Sequence, residues 1–350
     1  MKTRDYPVEL LRLKRLYARM EANHPERGYV AELIDRAEAG YKGETAVDNY
    51  LLGLRLPCAA TILRDVRLRI HEDYIAQFDT LLVTERGIWI IEAKMIRGTL
   101  RLLENPRRME RVGESGDILT MDCPILQLEN QKAGLEAWLE ERGLAMSIGG
   151  VVAFVTRNTW IGLPEDAPIV SVKELKSRLK GLVNNSPPPD KRYSPFEKVI
   201  ERIRTEELGP DMRPFEEMGI KSGLLKEGLI CEHCFAKLKR VSERKYECTM
   251  CEALAESDTV GRALRDYFLL RETRITNRDF CKLLGLRWHS TGRRYLMRYD
   301  LDRDGRVYQF DPRRHLEGTE LRRVDAAERA GHSGERKGHS QPGKGHSPKK

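Results

Sequence analysis

A chain of 350 residues is long enough for about two domains and at least one sizeable core. Apolar residues make up 40%, charged residues 33% and aromatic residues only 7%. No stretch reaches the roughly 18 apolar residues of a membrane span, and Met1-Lys2-Thr3-Arg4-Asp5-Tyr6-Pro7 leads into a charged helix, not an apolar signal segment. The expected setting is therefore the cytoplasm, with membrane and secreted classes excluded. The net charge of +8 is unevenly placed: residues 1–260 hold 40 Lys/Arg against 42 Asp/Glu, and residues 261–350 hold 22 against 12. Excess positive charge confined to the last quarter is the pattern of a nucleic-acid-binding appendage or of a solvated tail.

In chain order, residues 4–22 place Leu10, Leu11, Leu13, Leu16, Tyr17 and Met20 at helical spacing, and a second helix is expected over 29–39. Gly40-Tyr41-Lys42-Gly43 should break it, with a third helix from Glu44 to Leu54. Strands follow over 60–70, 75–83 and 87–96, the last two joined by the turn Thr84-Glu85-Arg86-Gly87, and 98–103 continues the meander. Residues 104–122 are polar without a period and read as a surface loop. Pro124 opens a helix through Trp138 and Leu139, 148–156 is a buried strand, 167–172 a last strand and 173–182 a helix. This order describes a layered α/β domain. Asn184-Asn185-Ser186-Pro187-Pro188-Pro189 is a linker, since successive prolines fit neither a helix nor a central strand. A charged helix covers about 194–208, and Gly-His-Ser recurs at 331, 338 and 345 in a low-complexity tail.

The strand around 87–96 carries chemistry. Period-two alternation puts Glu92 and Lys94 on one face behind Ile88 and Ile90, and a hairpin lets Asp79 lie across from Glu92. Opposite charges at the end of a Trp/Ile strand must be solvated, paired or bound, because an unpaired buried ion costs several kcal/mol. One outcome is a simple Glu92–Lys94 ion pair with Asp79 in a turn. The other is a site for a hard divalent cation, held by two carboxylates and the Ala93 carbonyl, with Lys94 beside the polarised water. The second outcome suits phosphodiester hydrolysis.

Gly43-Glu44 at a helix start, Gln77-Phe78-Asp79, Gly87-Ile88-Trp89-Ile90-Ile91-Glu92-Ala93-Lys94 and Gly98, in this order over residues 41–160, resemble the nuclease-related domain (NERD) family of the PD-(D/E)xK nuclease superfamily. The resemblance implies a restriction-endonuclease-like core in which a mixed sheet is flanked by helices. It implies Asp79 and Glu92 as ligands of Mg²⁺ or Mn²⁺, Lys94 as the group assisting the attacking water, and Glu44 as the third acid. Pro124-Ile125-Leu126-Gln127 is similar to the family's proline–glutamine helix start, so Gln127, or Gln131 one turn on, would orient Lys94 or a phosphate. Gln77-Phe78 stands where the wider superfamily has a proline before the aspartate.

Of seven cysteines, Cys231, Cys234, Cys248 and Cys251 form two Cys-x2-Cys knuckles separated by 13 residues. Four thiolates in this spacing make a closed tetrahedral Zn²⁺ site, and with a hairpin between the knuckles the segment resembles a zinc ribbon. His233 is expected to face outward, and Lys237, Lys239 and Arg240 to reach phosphates or solvent. Further on, Thr276 can cap a helix over 277–284 that Gly285 ends, Ser290 a second over 291–298, and Asp304-Gly305 turns a hairpin. This looks like a winged helix-turn-helix with Arg293, Arg294 and Arg298 towards DNA, or else a helical hairpin packed on its neighbours.

The expectation is a metal-dependent nuclease acting on nucleic acid, DNA before RNA, or a nucleic-acid-binding protein whose nuclease-like core no longer turns over. Its parts are a helical segment (1–40), a nuclease-related domain (41–183), a Pro-rich linker and helix (184–228), a zinc ribbon (229–255), a basic winged-helix-like segment (256–316) and a disordered basic tail (317–350).

Overall fold

A computed structural model describes residues 4–113, 115–188, 194–218, 220, 225–242, 245–255, 258–286 and 288–324. Pro189, Arg244 and the Gly-His-Ser repeats lie outside the described residues. The chain divides into two compact units, residues 1–14 with 25–212 and residues 15–24 with 213–350. No helix among the described residues is long and apolar enough to cross a membrane.

The first unit holds most of helix α1 (Val8–Arg19), helix α2 (Arg27–Leu51), strands β1 (Ala60–His71), β2 (Tyr74–Thr84), β3 (Gly87–Lys94), β4 (Gly98–Glu104), β5 (Arg107–Val112) and β6 (Ile118–Asp122), then helix α3 (Pro124–Glu141). Strands β7 (Ile148–Phe154), β8 (Asn158–Ile161) and β9 (Ile169–Ser171) and helices α4 (Leu175–Asn185) and α5 (Phe196–Glu206) complete it. The main sheet has the order β1-β2-β3-β7-β9, antiparallel from β1 to β3 and parallel from β3 to β9. It is the expected mixed sheet flanked by helices. On one face Ile88, Ile90 and Phe78 pack with Leu128, Leu135 and Trp138 of α3 and Val199 and Ile203 of α5. On the other, Trp89, Ile91 and Val151 pack with Val47 and Leu51 of α2 and Leu175 and Leu179 of α4. Covered on both faces, β3 is a continuous apolar run until Glu92.

Four expectations for this unit differ from the structure. Gly40 and Gly43 do not break the helix: α2 runs through both, because tertiary packing overrides the roughly 1 kcal/mol that an interior glycine costs. The polar stretch 104–122 is not a loop but contains β5, an arginine-rich strand whose Met109 is buried, and β6, most of whose side chains are exposed. Strand β4 leaves the meander; it joins β5, β6 and β8 in a second sheet of order β6-β5-β4-β8. Asn184 and Asn185, expected in the linker, end α4.

In the second unit, strands β10 (Leu238–Arg240) and β11 (Tyr246–Cys248) form a hairpin. Helix α6 (Thr259–Leu270), strand β12 (Arg274–Thr276), helices α7 (Asn277–Leu283) and α8 (His289–Leu296), and strands β13 (Asp302–Asp304) and β14 (Val307–Gln309) follow. This helix–strand–helix–helix–strand–strand order, with a sheet ordered β12-β14-β13, is that of a winged helix. Thr276 caps α7 as expected, its hydroxyl accepting from the Asp279 amide. Helix α8, however, begins at His289 after Trp288, with no side-chain cap from Ser290. It lies against α7 at Gly292, where a Cβ would meet Cys281 Sγ at 2.4 Å. Residues 317–324, expected to open a disordered tail, are folded: Leu316–Glu317 pairs with Glu320–Leu321, and Leu321 is buried. Buried Asp266 accepts from Arg15 Nε at 2.8 Å and Arg19 Nε at 2.7 Å; burial opposes its charge, yet Arg19, Arg15 and Arg265 hold its carboxyl below the usual range.

Candidate functional site

The acidic site forms where β3 ends. The ladder between β2 and β3 runs to Thr80↔Ile91, so Asp79 and Glu92 are the next residues on their strands. Between β1 and β2 the pairs Arg64↔Thr80 and Val66↔Phe78 are made, while Asp65 and Asp79 between them are not paired. Asp65 there adopts φ +50, the left-handed region that aspartate tolerates better than most residues. Asp79 Oδ2 accepts the Ala93 amide at 2.8 Å, which ties its carboxylate to the strand end.

Glu92, with 4% of its side chain exposed, is the best-supported group. Its Oε1 accepts from Lys94 Nζ at 2.8 Å and Gln127 Nε2 at 2.7 Å, and Lys94 Nζ also donates to Gln127 Oε1 at 2.8 Å. Its Oε2 accepts from Gln131 Nε2 at 2.9 Å, and that nitrogen also donates to the Gln77 carbonyl. Gln127 and Gln131 therefore both serve Glu92. The Glu92–Lys94 ion pair is real too, but it is built into the site and is no surface feature.

Close helix approach makes this possible. At Gly150 a Cβ would stand 2.6 Å from Leu128 Cδ1 and 3.0 Å from the Ile90 carbonyl, so the missing side chain lets α3 settle on β7 and carry Gln127 and Gln131 to Glu92. Gly43 does the same on the other face: its Cβ would lie 3.3 Å from Met95 Cβ, so α2 crosses the end of β3 with Glu44 alongside. That is the physical content of the Gly43-Glu44 pair.

Arg4, which no motif marks, joins the acidic cluster from the N-terminal segment. Its guanidinium, 4% exposed, donates from Nη1 to Glu44 Oε2 at 2.8 Å and from Nε to Asp48 Oδ2 at 2.9 Å. Its Nη2 donates to the Asp79 carbonyl at 2.9 Å and to Thr80 Oγ1 at 3.1 Å. Arg64 Nε closes on the other Asp48 oxygen at 2.9 Å. An arginine this far from the motifs has no spacing that could mark it.

Crowded carboxylates raise one another's pKa. Burial pushes Glu44 up to about 7, with Arg4 working against it and Asp65, Glu92 and Asp48 adding to it. Burial, then Glu92 and Glu44, also hold Asp79 well above the usual carboxylate range against the Ala93 amide and Lys94. Carboxylates that resist ionising together, with Gln131 Oε1 buried and unpartnered beside them, fit a hard divalent cation. The three acids are nevertheless a looser group than the cysteines.

In the second unit, the Sγ atoms of Cys231, Cys234, Cys248 and Cys251 all lie within 4.8 Å of one another. The Cys231–Cys251, Cys234–Cys248 and Cys234–Cys251 separations are 3.8, 3.3 and 3.6 Å. A tetrahedral Zn–S bond of about 2.3 Å requires roughly 3.8 Å. The amides of Cys251 and Met250 point at Cys248 Sγ and bring that thiol down to about 6, while the neighbouring cysteines push the Cys251 thiol up to about 12, so one member of the cluster carries the thiolate. His233 is exposed, outside the cluster. Lys237, Lys239 and Arg240 are exposed on the hairpin, although Lys239 pairs with Glu247 at 3.3 Å and Arg240 Nε bonds the Ser242 carbonyl. Arg293, Arg294 and Arg298 are exposed on and just after α8, Arg298 lying over the Tyr295 ring at 4.7 Å.

No curated protein and no solved structure matches the chain. Residues 39–155 match the family model of the nuclease-related domain, NERD. That segment contains Glu44, Asp79, Glu92, Lys94, Gln127 and Gln131 and includes neither Arg4 nor the four paired cysteines. The matched segment, about a third of the chain, lies on the unit that holds the acidic site.

Proposed function

We propose that the chain is a metal-dependent nuclease that hydrolyses phosphodiester bonds, in DNA before RNA, and that its cysteine and winged-helix modules hold the substrate. The observation that carries this reading is the Glu92 carboxylate beside Asp79, with Lys94, Gln127 and Gln131 all bonded to it. Asp79, Glu92 and Glu44 would hold Mg²⁺ or Mn²⁺, which supplies Lewis-acid polarisation of water and offsets charge on the phosphate. Lys94 sits at the solvent side of Glu92 with 22% of its side chain exposed, so its ammonium can turn to a water or a phosphate oxygen. Gln127 Oε1 accepts from that ammonium and holds it in place. The four cysteines would hold one structural Zn²⁺, and Lys237, Lys239, Arg240, Arg293, Arg294 and Arg298 would meet phosphates.

The test is a plasmid-cleavage assay with Mg²⁺, Mn²⁺ or EDTA. Cleavage should need the metal and fall at least about a thousandfold in both Glu92→Ala and Lys94→Ala, with folded circular dichroism spectra retained. Undiminished cleavage in either variant removes the site. A second reading, binding without turnover, draws on the fact that Glu92 and Glu44 are already engaged by Lys94 and Arg4. Salt-dependent DNA binding with no cleavage in any metal selects it.

A further inference from the structure

Arg4 lies 35 residues before the start of the matched segment at residue 39, yet its side chain is among the least exposed at the acidic site. The residues leading to it are laid along α2. Lys14 Nζ meets Glu38 Oε1 at 2.6 Å, the Tyr6 ring sits edge-on to Tyr41 at 5.5 Å, and Arg4 reaches Glu44 and Asp48. Going back along the chain from Lys14 to Arg4, the contacts climb α2 towards the site, so the segment delivers its guanidinium to a defined place.

The pattern of its bonds is selective. Arg4 engages Glu44 only through Oε2, and no hydrogen bond to Glu44 Oε1 is made among the described residues. Its Nη2 reaches the main chain of Asp79 and leaves that carboxylate to Ala93. One planar guanidinium thus spans α2 and β2, the elements that carry two of the three acids, and fixes their spacing while leaving an oxygen of each acid for another ligand. A fork of donors in one plane does this; a single ammonium cannot. The charges agree: Glu44, Asp48, Asp79 and Glu92 face Arg4, Arg64 and Lys94, and two of those cations close on Asp48. A divalent cation taken up beside Asp79 favours the ionised form of the crowded acids, and the four carboxylates then outnumber the three cations.

Resting on the nuclease reading above, we propose that Arg4 is a positioning residue of the divalent-cation site: it holds Glu44 and the Asp79 backbone in register, so cation affinity depends on a segment outside the nuclease-related domain. Groups that orient ligands typically change metal affinity by about 10- to 100-fold when removed.

The test is Mn²⁺ titration by calorimetry on the full-length, zinc-loaded chain, with Glu92→Ala defining the site. Arg4→Ala should raise the Kd by about tenfold or more at a temperature well below its own melting transition. Arg4→Lys, which keeps the charge but not the fork, should recover only part of the loss, and it carries the test alone if Arg4→Ala does not fold. A purely structural role would lower the melting temperature of both variants and leave the Kd of the folded chain unchanged. An unchanged or tighter Kd in the folded variants overturns the inference and leaves the nuclease reading standing. A wild-type chain without a Glu92-dependent Mn²⁺ site overturns both.

Discussion

The acidic site and the cysteine site are built in opposite ways. Four sulfurs from 21 consecutive residues, Cys231 to Cys251, converge within 4.8 Å, supported by amides of their own knuckles. The acidic site takes Arg4, Glu44, Asp79, Glu92, Gln127 and Gln131 from the N-terminal segment, two helices and two strands, and its carboxylates already hold cationic and amide partners. A local, closed site owes its shape to its ligands, whereas a dispersed one owes it to the packing of everything beneath it. The first is what a structural metal needs and the second what chemistry needs, because an open site must stay in shape while its occupants change.

The largest expected effect tests the local site. One zinc per chain should be found by metal analysis, and its removal by a strong chelator, or Cys248→Ser, should unfold the β10–β11 hairpin outright. Apparent binding energies of about 10–16 kcal/mol for structural zinc exceed anything that so short a segment gains by burial. Retained amide protection in the hairpin after complete zinc loss would break the contrast.

A smaller effect tests the dispersed site through its packing. Gly150→Ala forces Leu128 and the Ile90 carbonyl apart from a new methyl group and should destabilise the first unit by about 1–3 kcal/mol. A thermal melt would show this as a fall of several degrees. Cleavage should drop with it even where the protein is fully folded, since α3 carries Gln127 and Gln131. Lost stability with full activity would mean that the glutamines are not needed on Glu92.

The smallest effect concerns the winged helix. Buried His315 accepts the Asp311 amide at Nδ1 at 2.8 Å, a bond that only the neutral ring at that nitrogen can make. Burial lowers its pKa from 6.5, with Asp302, Asp300 and Asp311 opposing the shift and Arg314 supporting it. A base with a depressed folded pKa contributes stability that is complete above pH 6.5 and lost as pH falls through the lower folded value. A pH series of melting temperatures should show that acid limb, and His315→Gln should flatten it.

Much of this was legible in the sequence, but unevenly. The strands around Asp79 and Glu92 were readable because apolar runs punctuated by charge leave few alternatives, and the cysteine knuckles because their spacing is itself the geometry. The helix break expected at Gly40 and Gly43 and the loop expected over 104–122 failed for one reason: local propensity and polarity do not know about neighbours. Gly43 is small because Met95 lies against it, and β5 is a strand because β4 and β6 pair with it on either side.

By itself, the order of residues determined which groups could do chemistry: an Asp, a Glu and a Lys on adjoining strands, and four thiols in two short knuckles. Only tertiary structure decided that α3 brings two glutamines to one carboxylate, that Asp65 and Asp79 leave the ladder together, and that an arginine from the fourth position closes the acidic cluster. The physical reason is range. Spacing within a strand or a knuckle is set by covalent geometry, while an approach between helix and sheet is set by the side chains that are absent from the contact.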